Sequence, residues 1–218
     1  MDEESGRVFS IAKENQAVPC CTISKTVCSG EFTIIWFSLD KGTDISAEIY
    51  SAPKIWFALG GSFEAFTNNP KEKKVLRSGD IYITPCGIPV GSRSKGGAVY
   101  AEIQLKENTK MNEILKSKEV FSLKNLIPYQ DKKIVNMDLV NDAKLKFVLM
   151  AFDEGTGLTE HAAPGEAIIF ALDGNGIIGY EGKEYKITAG ENFKFDKGGA
   201  HYVKADGKFK MALLLTLE

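Results

Sequence analysis

The chain has 218 residues, of which 44% are hydrophobic and 26% are charged, and its formal net charge is −2. This balance is typical of a soluble globular protein with one domain or two small ones, and it disfavours nucleic acid as a partner, because nucleic-acid binding needs a basic face. No apolar run approaches the ~20 residues that cross a bilayer, and the acidic start of the chain lacks the pattern of a signal peptide. We therefore expect a cytoplasmic protein without a nucleic-acid or membrane partner.

The first half of the chain predicts short strands followed by a helical connection. Residues 32–37 form an aromatic and β-branched run of strand length. Residues 109–117 carry apolar side chains three and four residues apart, which is the spacing of one helix face. We therefore expect a short helical connection at 108–119.

The second half of the chain again predicts strands and turns. Residues 147–152 form another strand-like apolar run. Glu181 and Gly182 stand between two runs of strand type and indicate a tight hairpin. Residues 208–217 begin in alternation and end as a buried strand. Many short strands joined by glycine-containing turns predict an all-β fold.

The two halves are related by an internal repeat. Four fragments recur in the same order: 8–11 as 120–123, 42–43 as 155–156, 55–61 as 168–174 and 79–80 as 190–191. The offset is 113 in the middle (168 − 55) and 111 at the end (190 − 79). A preserved order with a nearly constant offset indicates a tandem duplication. We therefore expect an N-terminal domain at 1–107, the connection at 108–119 and a C-terminal domain at 120–218.

The cysteines give no sign of a metal or disulfide framework. Cys20 and Cys21 are adjacent, whereas Cys28 and Cys86 stand alone. They form no CxxC pair, and no histidine lies near them in sequence to complete a zinc-binding pattern. Reduced thiols with a structural or incidental role are expected. A nucleophilic role for Cys86 is the alternative, but no histidine stands at the corresponding place in that half.

The only two histidines, His161 and His201, lie in the second half within glycine-bounded motifs. The first motif runs from Gly155 through His161 to Gly174, and the second runs from Gly190 to His201. This pattern resembles the two motifs of the cupin superfamily. The resemblance implies two tandem cupin-type barrels, each a double-stranded β-helix of the jelly-roll kind.

The motifs depart from the metal-binding cupin pattern at two positions. The resemblance implies four metal ligands. They are the two histidines already named, another histidine in the first motif and a glutamate in the first motif. Ala163 and Ala167 stand at the positions of the last two, and Glu166 is the neighbour of Ala167. Because neighbours in a strand face opposite sides, Glu166 should point away from the site. Asp196 also replaces the usual proline of the second motif.

The first half has lost both histidines. By the repeat offsets, Glu48 and Val90 occupy their positions (161 − 113 and 201 − 111). The turn chemistry of the second motif persists at 85–89. We expect this barrel to be a scaffold without metal ligands, or to hold an apolar pocket lined partly by Trp36 and Trp56. A core role is favoured for both tryptophans.

The retained histidine pair indicates a single small-molecule site in the C-terminal barrel. His161 and His201 are the expected ligand-binding residues. A divalent transition metal such as Zn, Fe, Mn or Ni would be held weakly by two imidazoles. Glu166 or Glu160 would be a third ligand only in a different strand register. The sequence assigns no catalytic residue.

Three functions stay open on the sequence. The preferred one is a cytoplasmic bicupin that binds a small polar or sugar-like molecule. The first alternative is a metal-dependent cupin enzyme, an isomerase or dioxygenase, that acts on such a substrate. The second is a non-catalytic cupin with a structural or interaction role. The oligomeric state is also open between a monomer with paired barrels and a homodimer.

Overall fold

A computed structural model describes residues 1–69 and 71–217, and strands dominate these residues, which confirms the predicted all-β class. The first elements are β1 (Val8–Phe9), α1 (Ile11–Glu14), β2 (Thr22–Cys28), β3 (Thr33–Leu39), β4 (Asp44–Glu48), β5 (Lys54–Thr67), β6 (Lys73–Arg77), β7 (Asp80–Ile83), β8 (Val90–Arg93) and β9 (Ala98–Gln104). The later elements are β10 (Val120–Ser122), α2 (Leu123–Leu126), β11 (Ile134–Asn141), β12 (Leu145–Phe152), β13 (Gly157–Ala162), β14 (Glu166–Tyr180), β15 (Lys183–Thr188), β16 (Asn192–Phe195) and β17 (Ala200–Thr216).

The N-terminal unit comprises Ile11–Thr109 and Glu113–Ser122. Its described residues form a nine-stranded sheet with the order β10-β7-β5-β9-β3-β2, to which β4, β6 and β8 are added at the side. The long strand β5 pairs with β7 and β9 at one end and with β6 and β8 at the other, so it contributes to both parts of the sheet. The apolar core of this unit is built around Trp56, Phe63 and Tyr100.

The C-terminal unit comprises Met1–Ser10, Lys110–Asn112 and the chain from Leu123 onward. Its described residues form an eight-stranded sheet with the order β1-β16-β14-β17-β12-β11, and β13 and β15 are added at the side. The two longest strands, β14 and β17, pair along most of their length. Its core contains Phe193, Phe195 and Phe209.

Two short strands, β1 and β10, pair outside the half of the chain to which the sequence assigned them. The sequence assigned residues from 120 onward to the second domain, yet β10 pairs with β7 in the sheet of the N-terminal unit. Strand β1, from the start of the chain, pairs with β16 in the sheet of the C-terminal unit. The sheet of the C-terminal unit therefore includes β1, which comes from the start of the first half of the chain. The sheet of the N-terminal unit includes β10, which comes from the start of the second half.

A repeated glycine marks a bend in one long strand of each unit, β5 and β14. Gly61 and Gly174 stand one repeat offset apart, and both have positive φ (65° and 69°). A Cβ at either position would meet a backbone carbonyl, at 2.2 Å from the oxygen of Gly97 or 1.8 Å from the oxygen of Lys208. The register of the strand shifts near both positions. Only glycine fits such a bend, which explains why it recurs in the sequence repeat.

The predicted hairpin is confirmed. Strands β14 and β15 are antiparallel, and Tyr180 pairs with Lys183 across the turn. Glu181 and Gly182 both have positive φ, 49° and 76°. Two consecutive residues in this conformation make the two-residue turn that matches the twist of a hairpin.

The predicted helical connection is wrong. Residues 108–119, all of which the structure describes, contain turns and an isolated bridge but no helix. Met111 pairs with Val140, and the amide of Asn112 donates to the carbonyl of Leu139 at 2.9 Å. A helix of this length is marginal by itself, so tertiary pairing determines the backbone. Within the described part of the chain, no helix is long and apolar enough to cross a membrane.

Candidate functional site

The structure brings the two histidines together. Strands β13 and β17 are antiparallel, and His161 lies directly opposite His201 in their register. Side chains of directly opposed residues share one face of a sheet. The two imidazole centroids are 4.2 Å apart, with an angle of 52° between the ring planes. The pair predicted from motif spacing is therefore a direct cross-strand contact.

One ring of the pair is buried and the other is open to solvent. His201 is 8% exposed, and its ring stacks on Phe195 with a centroid distance of 4.1 Å. Tyr180 lies opposite His201 on the other side, in β14. His161 is exposed on the shorter strand β13. A ligand can therefore reach the pair from solvent while it contacts the edge of the apolar core.

Burial controls the protonation of His201. Desolvation lowers the pKa of its imidazole below the ordinary value of 6.5, and the nearby charge of His161 lowers it further. The hydrogen bond to the carbonyl of Gly199 opposes this shift but does not reverse it. His201 is therefore neutral at pH 7.

Backbone carbonyls determine which nitrogen of each ring carries the proton. Nδ1 of His161 lies 2.8 Å from the carbonyl oxygen of Thr159, and Nδ1 of His201 lies 3.1 Å from that of Gly199. A carbonyl only accepts, so Nδ1–H must be the donor in both hydrogen bonds. In the neutral form of each ring, Nε2 then presents a lone pair. Neither Nε2 has a hydrogen-bond partner among residues 1–69 and 71–217.

The predicted loss of two metal ligands is visible in the core. Ala163 and Ala167 are each 3% exposed and belong to the apolar core of the C-terminal unit. Ala167 lies opposite Phe195, whose ring covers His201. Methyl groups therefore occupy the inward positions where the family pattern has a histidine and a glutamate.

The two candidate carboxylates, Glu166 and Glu160, have other charged or polar neighbours. Glu166 binds Nζ of Lys194 at 2.9 Å and also the amino group of Met1. Burial opposes its ionised form, but these two cations outweigh that effect and lower the pKa of Glu166. Glu160 is exposed and adds to the negative charge around Tyr202, the outward neighbour of His201 in β17.

The donor set does not fit a resident transition-metal ion. In the described ranges, 1–69 and 71–217, no three His, Cys, Asp or Glu side chains form a group that could hold a metal ion. Mononuclear sites of this kind generally use three or four protein ligands. Glu166 and Glu160 therefore form no such group with His161 and His201.

The equivalent positions of the N-terminal unit also lie opposite each other. Glu48 pairs with Val90 across β4 and β8, as His161 pairs with His201. Val90 is buried and Glu48 is exposed. Trp36 and Trp56 are 1% and 2% exposed, which confirms their core role.

Comparison with known proteins agrees with this geometry. Residues 148–217 match the cupin domain family. The solved structure of the cupin 2 conserved barrel domain protein from Leptotrichia buccalis has a TM-score of 0.85 and 25% identity, and the match covers 99% of this chain and 98% of that one. Residues 148–217 are thus a cupin domain, and the chain as a whole has the fold of that cupin protein. The predicted cupin-type jelly-roll fold is thereby confirmed, whereas no curated protein sequence matches the chain significantly.

Two more distant solved structures share the fold alone. A salicylate 1,2-dioxygenase mutant from Pseudoaminobacter salicylatoxidans has a TM-score of 0.61 and 10% identity, over 85% of this cupin and 70% of the enzyme. The oxalate decarboxylase of Bacillus subtilis, which has Mn(II) centres, has a TM-score of 0.54 and 13% identity, over 100% of this chain and 78% of that one. Because one fold hosts many activities, these similarities do not assign a reaction.

Sequence reasoning missed the aromatic surroundings of the site. Phe195 lies six residues before His201 in the second motif, and its ring stacks on that imidazole. The sequence places Tyr180 in a run of strand type, but its position opposite His201 depends on the register between β14 and β17. The alternation of phenylalanine and lysine at 193–195 was the sequence signal that could have identified Phe195 as a core residue.

Proposed function

We propose that this cupin is a cytoplasmic small-molecule-binding protein that arose by duplication of one barrel and binds its ligand at His161 and His201. The observation that carries the proposal is the contact between two imidazoles whose Nδ1 atoms are both bonded to backbone carbonyls. The equivalent pair at Glu48 and Val90 supports the duplication. The four free cysteines are consistent with a reducing compartment.

The chemistry of the pair favours a ligand rich in hydroxyl groups. Two adjacent Nε2 lone pairs can each accept one hydrogen bond, so neighbouring hydroxyls of a polyol or sugar would satisfy both. The buried ring of His201 is neutral at pH 7, which removes the charge that would favour an anion. The rings of Phe195 and Tyr180 provide an apolar surface beside the polar groups, as small-molecule sites usually do.

A metal-dependent enzyme is supported less well. The dioxygenase and decarboxylase resemble this cupin in fold, and the decarboxylase has Mn(II) centres. Two imidazoles without a third ligand would hold a divalent ion only weakly. We therefore include no resident metal in the proposal.

Isothermal titration calorimetry with glucose, mannose, ribose and mannitol tests this function. We expect saturable binding of at least one of these probes to the wild-type protein. His161→Ala should weaken that binding by about tenfold, which corresponds to the loss of about one good hydrogen bond. The matched control is Glu160→Gln, because this exposed carboxylate adjoins His161 in β13 and acts electrostatically on Tyr202.

Two results would contradict the proposal. One is the absence of binding by every probe up to tens of millimolar, which would leave the structural or interaction role. The other is an equal affinity of the wild-type protein and His161→Ala for the probe that binds.

A further inference from the structure

The N-terminal unit holds a buried charged cluster at the positions that correspond to the histidine site. With the offset of 113, Tyr50 corresponds to Ala163 and Lys54 corresponds to Ala167. Glu48, which corresponds to His161, stands two residues before Tyr50. Where the C-terminal unit has two methyl groups, the N-terminal unit has a phenol and an ammonium group.

A buried carboxylate anchors this cluster. Glu102 is 3% exposed and lies opposite Trp56 in the register of β5 and β9. Its carboxylate accepts hydrogen bonds from the indole Nε1 of Trp56 at 2.8 Å and from Nε2 of Gln104 at 2.8 Å. Nζ of Lys54 donates to the same carboxylate at 2.7 Å. These three donors all belong to the same unit as Glu102.

The ammonium group of Lys54 has two partners. Besides Glu102, Nζ lies 3.7 Å from the centroid of the Tyr50 ring. The Lys54 side chain is 15% exposed, so water provides little of its solvation. A carboxylate together with an aromatic face is the arrangement by which proteins bind organic ammonium ions.

We propose that the N-terminal barrel is a cation site that its own lysine fills. The Lys54 ammonium occupies the place that an external organic cation would take between Glu102 and the Tyr50 ring. This arrangement satisfies the buried carboxylate without a metal ion. The proposal is independent of the ligand assigned to the C-terminal barrel.

The chemical class of the occupant follows from this geometry. One carboxylate and one ring face suit a primary ammonium ion, because a divalent metal requires several oxygen or nitrogen ligands. Truncation of Lys54 to alanine removes a propyl stem and its ammonium group. Propylammonium has the same heavy-atom chain and is therefore the matched probe.

The experiment compares propylammonium binding to three forms of the full chain. Calorimetry should show that Lys54→Ala binds propylammonium at least about tenfold more tightly than the wild-type protein does. The thermal midpoint of Lys54→Ala should rise in a saturable way with the same ion. Lys54→Met is the control that keeps the stem, and it should bind no better than the wild-type protein.

Uncharged and divalent probes test whether the site selects a single positive charge. 1-Propanol, which fills the same space without charge, should have little effect on Lys54→Ala. Mn²⁺ should bind Lys54→Ala no better than the wild-type protein. Equal binding of propylammonium to all three forms, or preferential binding of 1-propanol or Mn²⁺ to Lys54→Ala, would overturn the proposal.

A second measurement keeps the test decisive if Lys54→Ala does not fold. Acetylation of individual lysines in the wild-type protein, followed by mass spectrometry, should be slower at Lys54 than at the exposed Lys71. In Glu102→Gln, Lys54 should be acetylated several-fold faster, because the ammonium form loses its counter-ion. An unchanged rate in Glu102→Gln would show that Glu102 does not hold the cation.

Discussion

Replacement of Glu102 by alanine should lower the free energy of unfolding by about 3–5 kcal/mol, because it leaves a buried cation without its partner. The change removes the acceptor for Lys54 and also the partners of Trp56 and Gln104. Chemical denaturation followed by tryptophan fluorescence measures this loss. Trp56 lies in the same cluster, so its emission reports on the affected part of the molecule.

An exposed pair with the same chemistry provides the control. Lys106 binds Glu31 and also lies 5.3 Å from the centroid of the Phe32 ring. About half of each charged side chain in this pair is exposed to solvent. Glu31→Ala should therefore cost at most about 1 kcal/mol. Similar losses for Glu31→Ala and Glu102→Ala would show that burial does not strengthen the inner pair.

Restoration of the two missing ligands should create a metal site. The double variant Ala163→His, Ala167→Glu restores the imidazole and the carboxylate of the family pattern at two buried positions. We expect its affinity for Zn²⁺ or Mn²⁺ to exceed that of the wild-type protein by at least about a hundredfold, because four ligands replace two. Calorimetry with each ion, in protein prepared without chelator, measures the gain.

This variant has a structural cost and a matched control. Both alanines are packed in the core, so the larger side chains should destabilise the unit by about 1–3 kcal/mol each. Ala162→His adds an imidazole at the exposed neighbouring position and should leave the metal affinity unchanged. An equal affinity of the double variant and Ala162→His would show that the two alanines do not face the histidine pair.

Local sequence signals predicted much of the C-terminal site. Motif spacing brought His161 and His201 together, and strand alternation placed Ala167 inward and Glu166 outward. The Glu181–Gly182 hairpin followed from turn chemistry. These predictions depend on spacing over a few residues, where strand geometry leaves few alternatives.

The remaining features depend on contacts that are distant in sequence. The helical pattern at 109–117 fails because Met111 pairs with Val140 across almost thirty residues of chain. The bond between Lys54 and Glu102 joins residues 48 positions apart. The repeat offset carried a usable signal, since it puts Lys54 opposite Ala167 in the alignment of the two halves. Only the register of β5 and β9 shows which carboxylate Lys54 meets.

The proposed site depends on both histidines presenting an unprotonated Nε2 to the ligand. Nitrogen-15 NMR of protein labelled only at histidine tests it directly, because the chain has just two such residues and His161→Ala assigns their signals. At mildly alkaline pH, we expect both rings to carry their proton on Nδ1 and to keep Nε2 as the acceptor. A proton on Nε2 of either ring would contradict it.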